Sequence, residues 1–565
     1  MKIQKNGGLS WKSFFRLLRQ LKYPWLWIVS TLVFTVFYLW LMTIVPEYTS
    51  QLVTGNFKTK YIVGTVAFNL ITMTMMNASS NLKAMSKGRA MLKNREILWS
   101  RFLRLPMGFL NKRGPSNLVS CISNDLEELM GVVIEELVVE PANLYYLIAT
   151  MILVRKYSWK LCLTFLATIP LMVVMAVILG KWNFKATSRI NSSIGKLTQY
   201  LAIRTRSIPF IKSMSAEEME NMSGSDVIKN LFRVKYERNA VTITSNAGST
   251  LLTVLSTIIS VVAASILLAH KEITLAQWIA FFFYQSTVAS TFASYYAKWP
   301  QIKSAHASGI RLAQVMQNPS EATEIYSDRN IPCGDIELKN IGFCYDDKQV
   351  LKGVSFTIRH GKTTLLMGES GSGKTTILNL LLRLYEPSAG EIRIGQTAAS
   401  EWELPAYRKA FAYVTQEAGM FSGTVREAVT YGLRREVTDD EIESALKTVR
   451  ASNFVHSLPE QLDAPVGELG SKLSGGERQK IAIARAILSG APYILFDEPT
   501  AALDPASTIS TLETILLLRK DHTIVIVSHE LITASIADEI VHLENGDVRE
   551  VHAAVRQEPL PGGAV

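Results

Sequence analysis

The distribution of apolar residues divides the chain into two parts. Long apolar runs with few charges crowd the first 300 residues, whereas from about residue 334 short β-rich runs alternate with helical ones. A run of about 20 apolar residues is long enough to cross a hydrocarbon core about 30 Å thick. We therefore expect six membrane spans, at about 25–45, 61–82, 134–154, 161–180, 243–269 and 274–297.

The third span carries acidic residues. Its charge-free part, 141–154, is too short to cross alone, so the helix must also contain Glu135, Glu136 and Glu140. Carboxylates at membrane depth are costly unless they face protein or water. They either line an acidic, water-filled vestibule that attracts cationic solutes, or pair with Lys or Arg just below the membrane. We favour the pairing.

Basic residues flank the apolar runs. Residues 10–23 combine aromatic residues and leucines with basic ones at helical spacing, which predicts an amphipathic helix in the membrane interface. The connection 83–113 carries nine Lys and Arg against one acid, Glu96. This bias predicts cytoplasmic termini and cytoplasmic long connections. Because these connections keep apolar periodicity, we expect helices that leave the membrane, turn back and dock on a soluble domain.

Composition excludes several classes of protein. The chain of 565 residues has a net charge of +10, and much of its excess of Lys and Arg lies beside apolar runs. This placement favours topology signals and lipid contacts over nucleic acid binding. The four cysteines form no C-x-x-C pattern or Cys/His cluster, so neither a metal site nor a disulfide framework is indicated. The basic N-terminus lacks the features of a cleavable signal peptide.

A glycine-rich stretch, 368–375, follows the apolar run 365–367 and leads into the helical pattern 377–382. This order is the context that a G-x-x-x-x-G-K-[ST] phosphate-binding loop requires. Backbone N–H groups converge there on phosphate oxygens, Lys374 adds a positive charge, and the Thr375 hydroxyl can ligate Mg²⁺. The predicted nucleotide contacts in this stretch are Gly368, Glu369, Ser370, Gly371, Ser372, Gly373, Lys374, Thr375 and Thr376.

Two apolar strands are predicted to bring further chemistry to the same sheet edge. The run 493–496 ends in Asp497 and Glu498, and the run 523–527 is followed by Ser528 and His529. In parallel sheets, ligands bind at the carboxyl ends of the strands. Asp497 is suited to hold Mg²⁺ through water, and Glu498 to act as a general base toward an attacking water. A lone histidine is usually structural, and only its position places His529 near a terminal phosphate.

A second anion site is predicted at 473–479. Ser474, Gly475 and Gly476 open the helix that carries 481–488, and such a helix N-terminus can bind an anion. The glycine-rich loop 368–375 and this turn can bind the same phosphate only if they come from two chains and face each other across an interface. A two-fold dimer would place this turn over the partner's phosphate loop.

These motifs closely resemble an ATP-binding cassette (ABC) half-transporter of the exporter type, over nearly the full length of the chain. The phosphate loop matches the Walker A motif, 493–497 Walker B, and 473–479 the signature motif. Gln416 matches the Q-loop glutamine, Tyr345 the aromatic residue that stacks on adenine, and His529 the switch histidine. Weaker or shorter matches are Ala501–Asp504 (the D-loop), Val466–Gly470 (an exporter-specific loop), and Asn124–Asp125 and Lys212–Glu217 (patterns near two coupling helices).

The resemblance implies roles for particular residues. It implies catalytic roles for Lys374, Glu498 and His529, and Mg²⁺ coordination by Thr375, Gln416 and Asp497. The nucleotide contacts that it implies outside the phosphate loop are Tyr345, Gln416, Ser474, Gly475, Gly476 and Glu477. Glu477 stands where Gln is usual. Since no catalytic position is degenerate, a homodimer would have two competent ATP sites. A heterodimer with a degenerate partner is the alternative that stays open.

The resemblance also implies an architecture of two domains, an all-α six-helix transmembrane domain followed by an α/β P-loop NTPase domain. We expect an interfacial elbow helix at 1–24, a membrane domain at 25–318, a linker at 319–333, a nucleotide-binding domain at 334–556 and a disordered tail at 557–565.

The expected function is ATP-driven export of a drug-, lipid- or peptide-like substrate. The expected location is the plasma membrane, which is the inner membrane in a Gram-negative bacterium. The expected partners are a second half-transporter, most simply a second copy of this chain, the lipid bilayer and the substrate, with no nucleic acid. Two alternatives stay open: a siderophore importer built on the exporter fold, and an ATP-gated channel or sensor without pumping.

Overall fold

The computed structural model describes residues 11–321, 332–433, 435–501 and 503–554. Residues 1–10, most of the predicted linker (322–331), Ala502 of the D-loop match and the predicted tail lie outside the described residues. The chain forms two compact units. Of the described residues, 11–103 and 113–318 form the helical unit, and 104–112 and those from 319 to 554 form the sheet unit.

The helical unit consists of long helices joined by short turns. Its helices are α1 (Trp11–Gln20), α2 (Trp25–Val53), α3 (Thr59–Phe102), α5 (Pro115–Ser120), α6 (Leu126–Tyr157), α7 (Trp159–Arg206), α8 (Ile208–Ser213), α9 (Glu217–Ala269) and α10 (Leu275–Gln317). A π-helical turn, Cys121–Asp125, joins α5 to α6. The short helix α4 (Met107–Arg113) falls largely within the residues that group with the sheet unit.

Five stretches of helix in the described chain are long and apolar enough to cross a membrane: α2, α3, the stretch 117–157, α7 and α9. Helix α2 runs past the predicted end of the first span, through Pro46, to Val53. The sixth predicted span, 274–297, falls in the 43-residue helix α10, which is not among the five. A sixth crossing therefore remains a prediction.

Small polar side chains join the long helices. Thr35 lies 2.6 Å from Ser79 and Thr31 lies 3.2 Å from Ser86, which ties α2 to α3. Gln285 donates to Ser256 over 2.8 Å, which ties α10 to α9. Small residues and hydrogen bonds of this kind hold membrane helices together where a hydrophobic driving force between them is absent.

The acidic residues of the third predicted span are paired. Lys298 Nζ on α10 lies 2.6 Å from Glu140 and 3.4 Å from Glu136, and Lys83 lies 3.8 Å from Glu135. Glu136 and Glu140 are one helical turn apart, so a single lysine reaches both carboxylates. The expectation that these acids pair with lysine is confirmed.

The sheet unit contains two sheets. Its strands are β1 (Ile336–Tyr345), β2 (Lys348–Ile358), β3 (Thr363–Gly368), β4 (Ala389–Ile394), β5 (Thr397–Ala398), β6 (Phe411–Val414), β7 (Tyr493–Asp497), β8 (Thr523–Ser528), β9 (Glu539–Glu544) and β10 (Asp547–Ala553). The antiparallel sheet has the order β2-β1-β4-β5, and the second sheet has the order β10-β9-β3-β8-β7-β6. The strands from β9 to β6 are parallel, and β10 closes the edge in antiparallel orientation.

Helices of the sheet unit cover the parallel sheet. They are α11 (Lys374–Leu381), α12 (Leu404–Lys409), α13 (Val425–Thr430), α14 (Asp439–Thr448), α15 (Ser452–Ser457), α16 (Gly475–Ser489) and α17 (Pro505–Leu518). Strands β7 and β8 are buried along their whole length. Because side chains alternate along a strand, Ile494 belongs to a buried cluster that includes residues of α13, α14 and α16, and Leu495 belongs to a second cluster that includes residues of α11 and the antiparallel sheet. Burial on both faces explains why these strands are continuously apolar.

The segment 104–112 packs within the sheet unit. Asn111 Nδ2 donates to the Tyr385 hydroxyl over 2.6 Å, and Lys112 pairs with Asp346. The Glu321 N–H also donates to the Arg104 carbonyl. The turn of the first long connection therefore belongs to the sheet unit.

Candidate functional site at the carboxyl edge of the parallel sheet

Three adjacent strands end side by side at the candidate site. Met367 of β3 pairs with Ser528 of β8, and Asp497 of β7 pairs with Val527 of β8. The Glu498 N–H continues this register by donating to the Val527 carbonyl over 2.8 Å. Residues that are more than 100 positions apart in sequence thus meet at one sheet edge.

The loop 368–375, here called the phosphate loop, requires glycine at both ends. A Cβ on Gly368 would lie 2.2 Å from the Leu543 carbonyl oxygen, and a Cβ on Gly373 would lie 2.6 Å from Leu351 Cδ2. Gly373 also has a φ of +104°, which other residues rarely adopt. The chain can therefore turn tightly into α11, whose first residue is Lys374.

Lys374 lies inside the phosphate loop. Its ammonium donates to the Gly368 and Glu369 carbonyls, each over 2.7 Å, and the side chain is buried. Burial lowers the pKa of Lys374, and the carboxylates of Glu498 and Asp497 oppose this shift. A cation held among carbonyl oxygens and carboxylates can transfer its hydrogen bonds to phosphate oxygens.

Asp497, at the end of β7, contacts both the phosphate loop and the neighbouring strand β6. Thr375 Oγ1 donates to Asp497 Oδ1 over 3.3 Å, and the Tyr413 hydroxyl donates to Asp497 Oδ2 over 3.0 Å. Burial raises the pKa of Asp497, and these two hydrogen bonds oppose the shift. Tyr413 is not among the residues predicted from the sequence, although it lies on β6 opposite Leu495 of β7, three residues before Gln416.

Two predicted site residues, Gln416 and His529, contact the Glu498 carboxylate. Gln416 Nε2 donates to Glu498 Oε2 over 3.2 Å, and His529 Nδ1 lies 3.3 Å from Glu498 Oε1. Glu498 has a φ of +48°, a strained value for a non-glycine residue of the kind that clusters at functional sites. Gln416, Glu498 and His529 therefore meet at this edge.

Ser474, Gly475 and Gly476, here called the signature turn, open α16. The Ser474 hydroxyl accepts from the Glu477 N–H over 3.3 Å, and Glu477 Oε2 accepts from the Ser474 N–H over 2.7 Å. This reciprocal pair is a capping box. Glu477, the position where Gln is usual, thus satisfies a backbone donor of its own helix.

Other predicted residues lie in defined surroundings. Tyr345 packs edge-on against Phe343 and Tyr385, and its hydroxyl accepts from Asn379 of α11 at 3.5 Å. Asp504 of the D-loop match caps α17 by accepting from the N–H groups of Ala506 and Ser507. Leu469 of the 466–470 loop has a φ of +49° and is 76% exposed.

Comparisons with known proteins extend over both units. The family model described as ABC transporter transmembrane region matches residues 24–292, and the model described as ABC transporter matches residues 351–501. An ATP-dependent lipid A-core flippase of Pseudoalteromonas translucida is 32% identical over 473 residues, which cover 81% of this chain and 79% of the relative. A multidrug resistance ABC transporter ATP-binding and permease protein of Lactococcus lactis subsp. cremoris is 26% identical over 464 residues, 82% of this chain and 78% of the relative.

A solved structure has the same fold. It is that of a bacterial Atm1-family ABC exporter with ATP bound, which matches 93% of this chain and 95% of its own chain with a TM-score of 0.82 at 20% identity. The predicted fold class, a helical transmembrane region followed by an α/β ATPase domain, is confirmed. This chain belongs to the ABC transporter family, as an exporter-type half-transporter.

Proposed function

We propose that two copies of this chain form an exporter that hydrolyses Mg·ATP at two composite sites and moves a lipid-like or drug-like amphiphile across the membrane. The observation that carries the proposal is the meeting of Gln416, Glu498 and His529 at the sheet edge where the phosphate loop ends. The named flippase and multidrug relatives support the substrate class and favour export over the importer and channel alternatives.

The phosphate loop is proposed to hold the triphosphate. Backbone N–H groups of 369–376 surround the phosphates, and Lys374 exchanges its two carbonyl partners for phosphate oxygens. Tyr345, which lies beside α11, is proposed to stack on the adenine ring. Gly368 and Gly373 let the loop pack closely against Leu543 and Leu351, which supports a loop whose backbone is fixed before the ligand binds.

The residues at this edge fit a Mg²⁺ ion. The Thr375 hydroxyl and the Asp497 carboxylate already lie in contact, and the Gln416 amide oxygen adds a third hard donor of the kind that Mg²⁺ prefers. Burial of Asp497, which raises its pKa, favours a positive charge beside it. When bound, the cation would neutralise charge on the phosphate oxygens during transfer.

Glu498 is proposed as the general base. A carboxylate at this position can accept a proton from the water that attacks the terminal phosphate. Gln416 and His529 hold the two Glu498 oxygens, so the carboxylate is oriented before the substrate arrives. His529 is further proposed to contact the terminal phosphate.

ATP is proposed to drive transport by bridging two subunits. The signature turn of each chain would cover the phosphate loop of its partner, and ATP would bind tightly only in this closed arrangement. A ligand that binds one conformation more tightly shifts the population toward it. Closure would then turn the membrane helices outward, and hydrolysis would reset them. We also propose that the protein lies in the plasma membrane with both termini cytoplasmic, as the basic 83–113 stretch indicates.

The proposal is tested with purified protein in proteoliposomes. ATP and Mg²⁺ should drive a fluorescent lipid analogue or a dye across the bilayer and accumulate it above its bath concentration. The Glu498→Gln variant serves as the matched control that binds ATP without turnover. Equal, ATP-independent movement with both proteins would refute the pump and support a channel.

A further inference from the structure

Two adjoining cavities lie where α1, α2 and α3 meet in the helical unit. Their volumes are about 710 and 640 Å³, and both are lined by Tyr23, Trp25 and Lys93. Cavities of 300–1,000 Å³ accommodate small organic ligands. Together the two cavities form one groove, whose residues are distant in sequence from those of the ATP site.

The groove has a strong positive charge. Arg19 and Lys22 line the larger cavity, Arg89 lines the smaller one, and Lys93 lines both. The first acidic residue of the sequence is Glu47, after the whole of α1 and most of α2. Among residues 11–321, none of these four cations forms an ion pair. An anionic ligand would supply the missing charge.

The backbone and rings around these cations are fixed in place. The buried Asn94 side chain on α3 accepts from the Lys22 N–H over 2.9 Å and donates to the Lys22 carbonyl over 2.8 Å. The Arg89 guanidinium lies over the Trp27 ring, 4.0 Å from its centroid. These contacts hold the turn between α1 and α2 against α3, so ligand binding loses little conformational entropy.

The walls of the groove are apolar and aromatic. Phe15 and Leu18 of α1, Leu92 of α3, and Leu137 of α6 line it beside Trp25, which is 58% exposed. Trp and Tyr residues at the start of a membrane helix lie at the level of the lipid headgroups. Cations next to apolar walls at that level match a molecule that carries a phosphate directly above acyl chains.

We propose that this groove binds one anionic phospholipid of the leaflet in which α1 lies. Its phosphate lies among Arg19, Lys22 and Lys93, and its upper acyl chains pack against Trp25 and Leu92. The proposal requires neither transport nor ATP hydrolysis, and it concerns a lipid that binds the outside of the helix bundle. Charge complementarity favours this occupant over a zwitterionic lipid.

Native mass spectrometry of the full-length protein in neutral detergent tests the proposal. Wild-type protein should bind phosphatidylglycerol in preference to phosphatidylcholine with the same acyl chains. Because each basic residue contributes about fivefold to binding of an anionic lipid, Arg19→Gln combined with Lys93→Gln should weaken phosphatidylglycerol binding about 25-fold. ATP binding and thermal unfolding should stay unchanged, which shows that the variant is folded.

The matched control is Lys12→Gln combined with Arg16→Gln. It removes the same charge from the same region, but neither residue lines the groove. It should change lipid binding by less than about twofold. Equal losses in the two double variants, or equal binding of the two lipids by the wild type, would overturn the proposal. Displacement of phosphatidylglycerol by 10 mM inorganic phosphate would also overturn it, in favour of a soluble anion.

Discussion

The phosphate loop and the signature turn are both helix N-termini in the sheet unit, but their surroundings differ. The phosphate loop meets its own cation, Lys374, and two carboxylates at the carboxyl end of β7, Asp497 and Glu498. The signature turn instead donates its first N–H to its own Glu477. The first is a reaction site in outline. The second is a helix cap whose capping hydrogen bonds stay within its own turn, and in the proposed function it acts on the phosphate that another subunit holds.

The largest expected effect is a loss of ATP turnover at the site of the phosphate loop. Glu498→Gln should reduce ATP turnover by about 10² to 10⁴-fold, because the amide cannot accept the proton of the attacking water. ATP affinity should fall little, and a closed dimer should accumulate. Phosphate release and nucleotide binding are measured on the same preparation. Wild-type turnover in Glu498→Gln would refute the proposal that Glu498 is the general base.

The second prediction asks whether the signature turn works on its own chain or on its partner. Ser474→Asp keeps a good helix cap but places a negative charge where a phosphate would bind. In mixed dimers, Lys374→Ala on one chain and Ser474→Asp on the other should leave one intact composite site and up to half of the wild-type ATPase activity. Both changes on one chain beside a wild-type partner should reduce the activity at least tenfold further.

Ser474→Asn is the control for this experiment, since it keeps the cap and the size of the side chain without the charge. Two differently tagged subunits allow each mixed dimer to be purified. If the turn served the loop of its own chain, the order of the two activities would be reversed.

The third prediction concerns Glu477, which stands in the signature motif where Gln is usual. Glu477→Gln preserves the capping box but removes a negative charge from the proposed anion site. The apparent affinity for ATP in the hydrolysis assay should tighten about two- to fivefold, the range expected for one charge near a helix N-terminus. The exposed Glu460→Gln is the control and should leave the affinity unchanged. Weaker binding in Glu477→Gln would contradict this reasoning.

The smallest expected effect is on stability. Burial raises the pKa of Asp497, so its ionisation costs stability as the pH rises above the ordinary range of a carboxyl group. Asp497→Asn should therefore raise the Tm of the nucleotide-free ATPase domain near neutral pH. A gain of about 1 kcal/mol corresponds to roughly 2 to 4 °C for a domain of this size.

Scanning calorimetry without nucleotide measures this shift, and the exposed Asp521→Asn is the control. The advantage should shrink as the pH is lowered, because Asp497 then protonates in the wild type. Added Mg·ATP should stabilise the wild type more than the variant. A variant that is less stable at every pH would show that the Asp497 charge is compensated within the chain.

Most of the candidate site was predictable because its chemistry depends on local order. The phosphate loop, the acids after β7 and the histidine after β8 each follow a short apolar strand, and parallel strands share one carboxyl edge. Pairing of Glu136 and Glu140 with Lys or Arg was favoured because carboxylates at membrane depth are costly unless they face protein or water. The sequence could not identify Lys298 as their partner, because the contact joins residues about 160 positions apart.

The order of residues along the chain was enough to predict the family and the two-part architecture, and to choose the residues proposed for the ATP chemistry. Strand, turn and helix patterns are local, and the motifs follow them in a fixed order. Three features emerged only from the folded chain: Gln416 and His529 both contact Glu498, Tyr413 donates to Asp497, and cations that form no ion pair among residues 11–321 line a groove beside α1. Such contacts depend on the packing of distant segments, which no short stretch of sequence encodes.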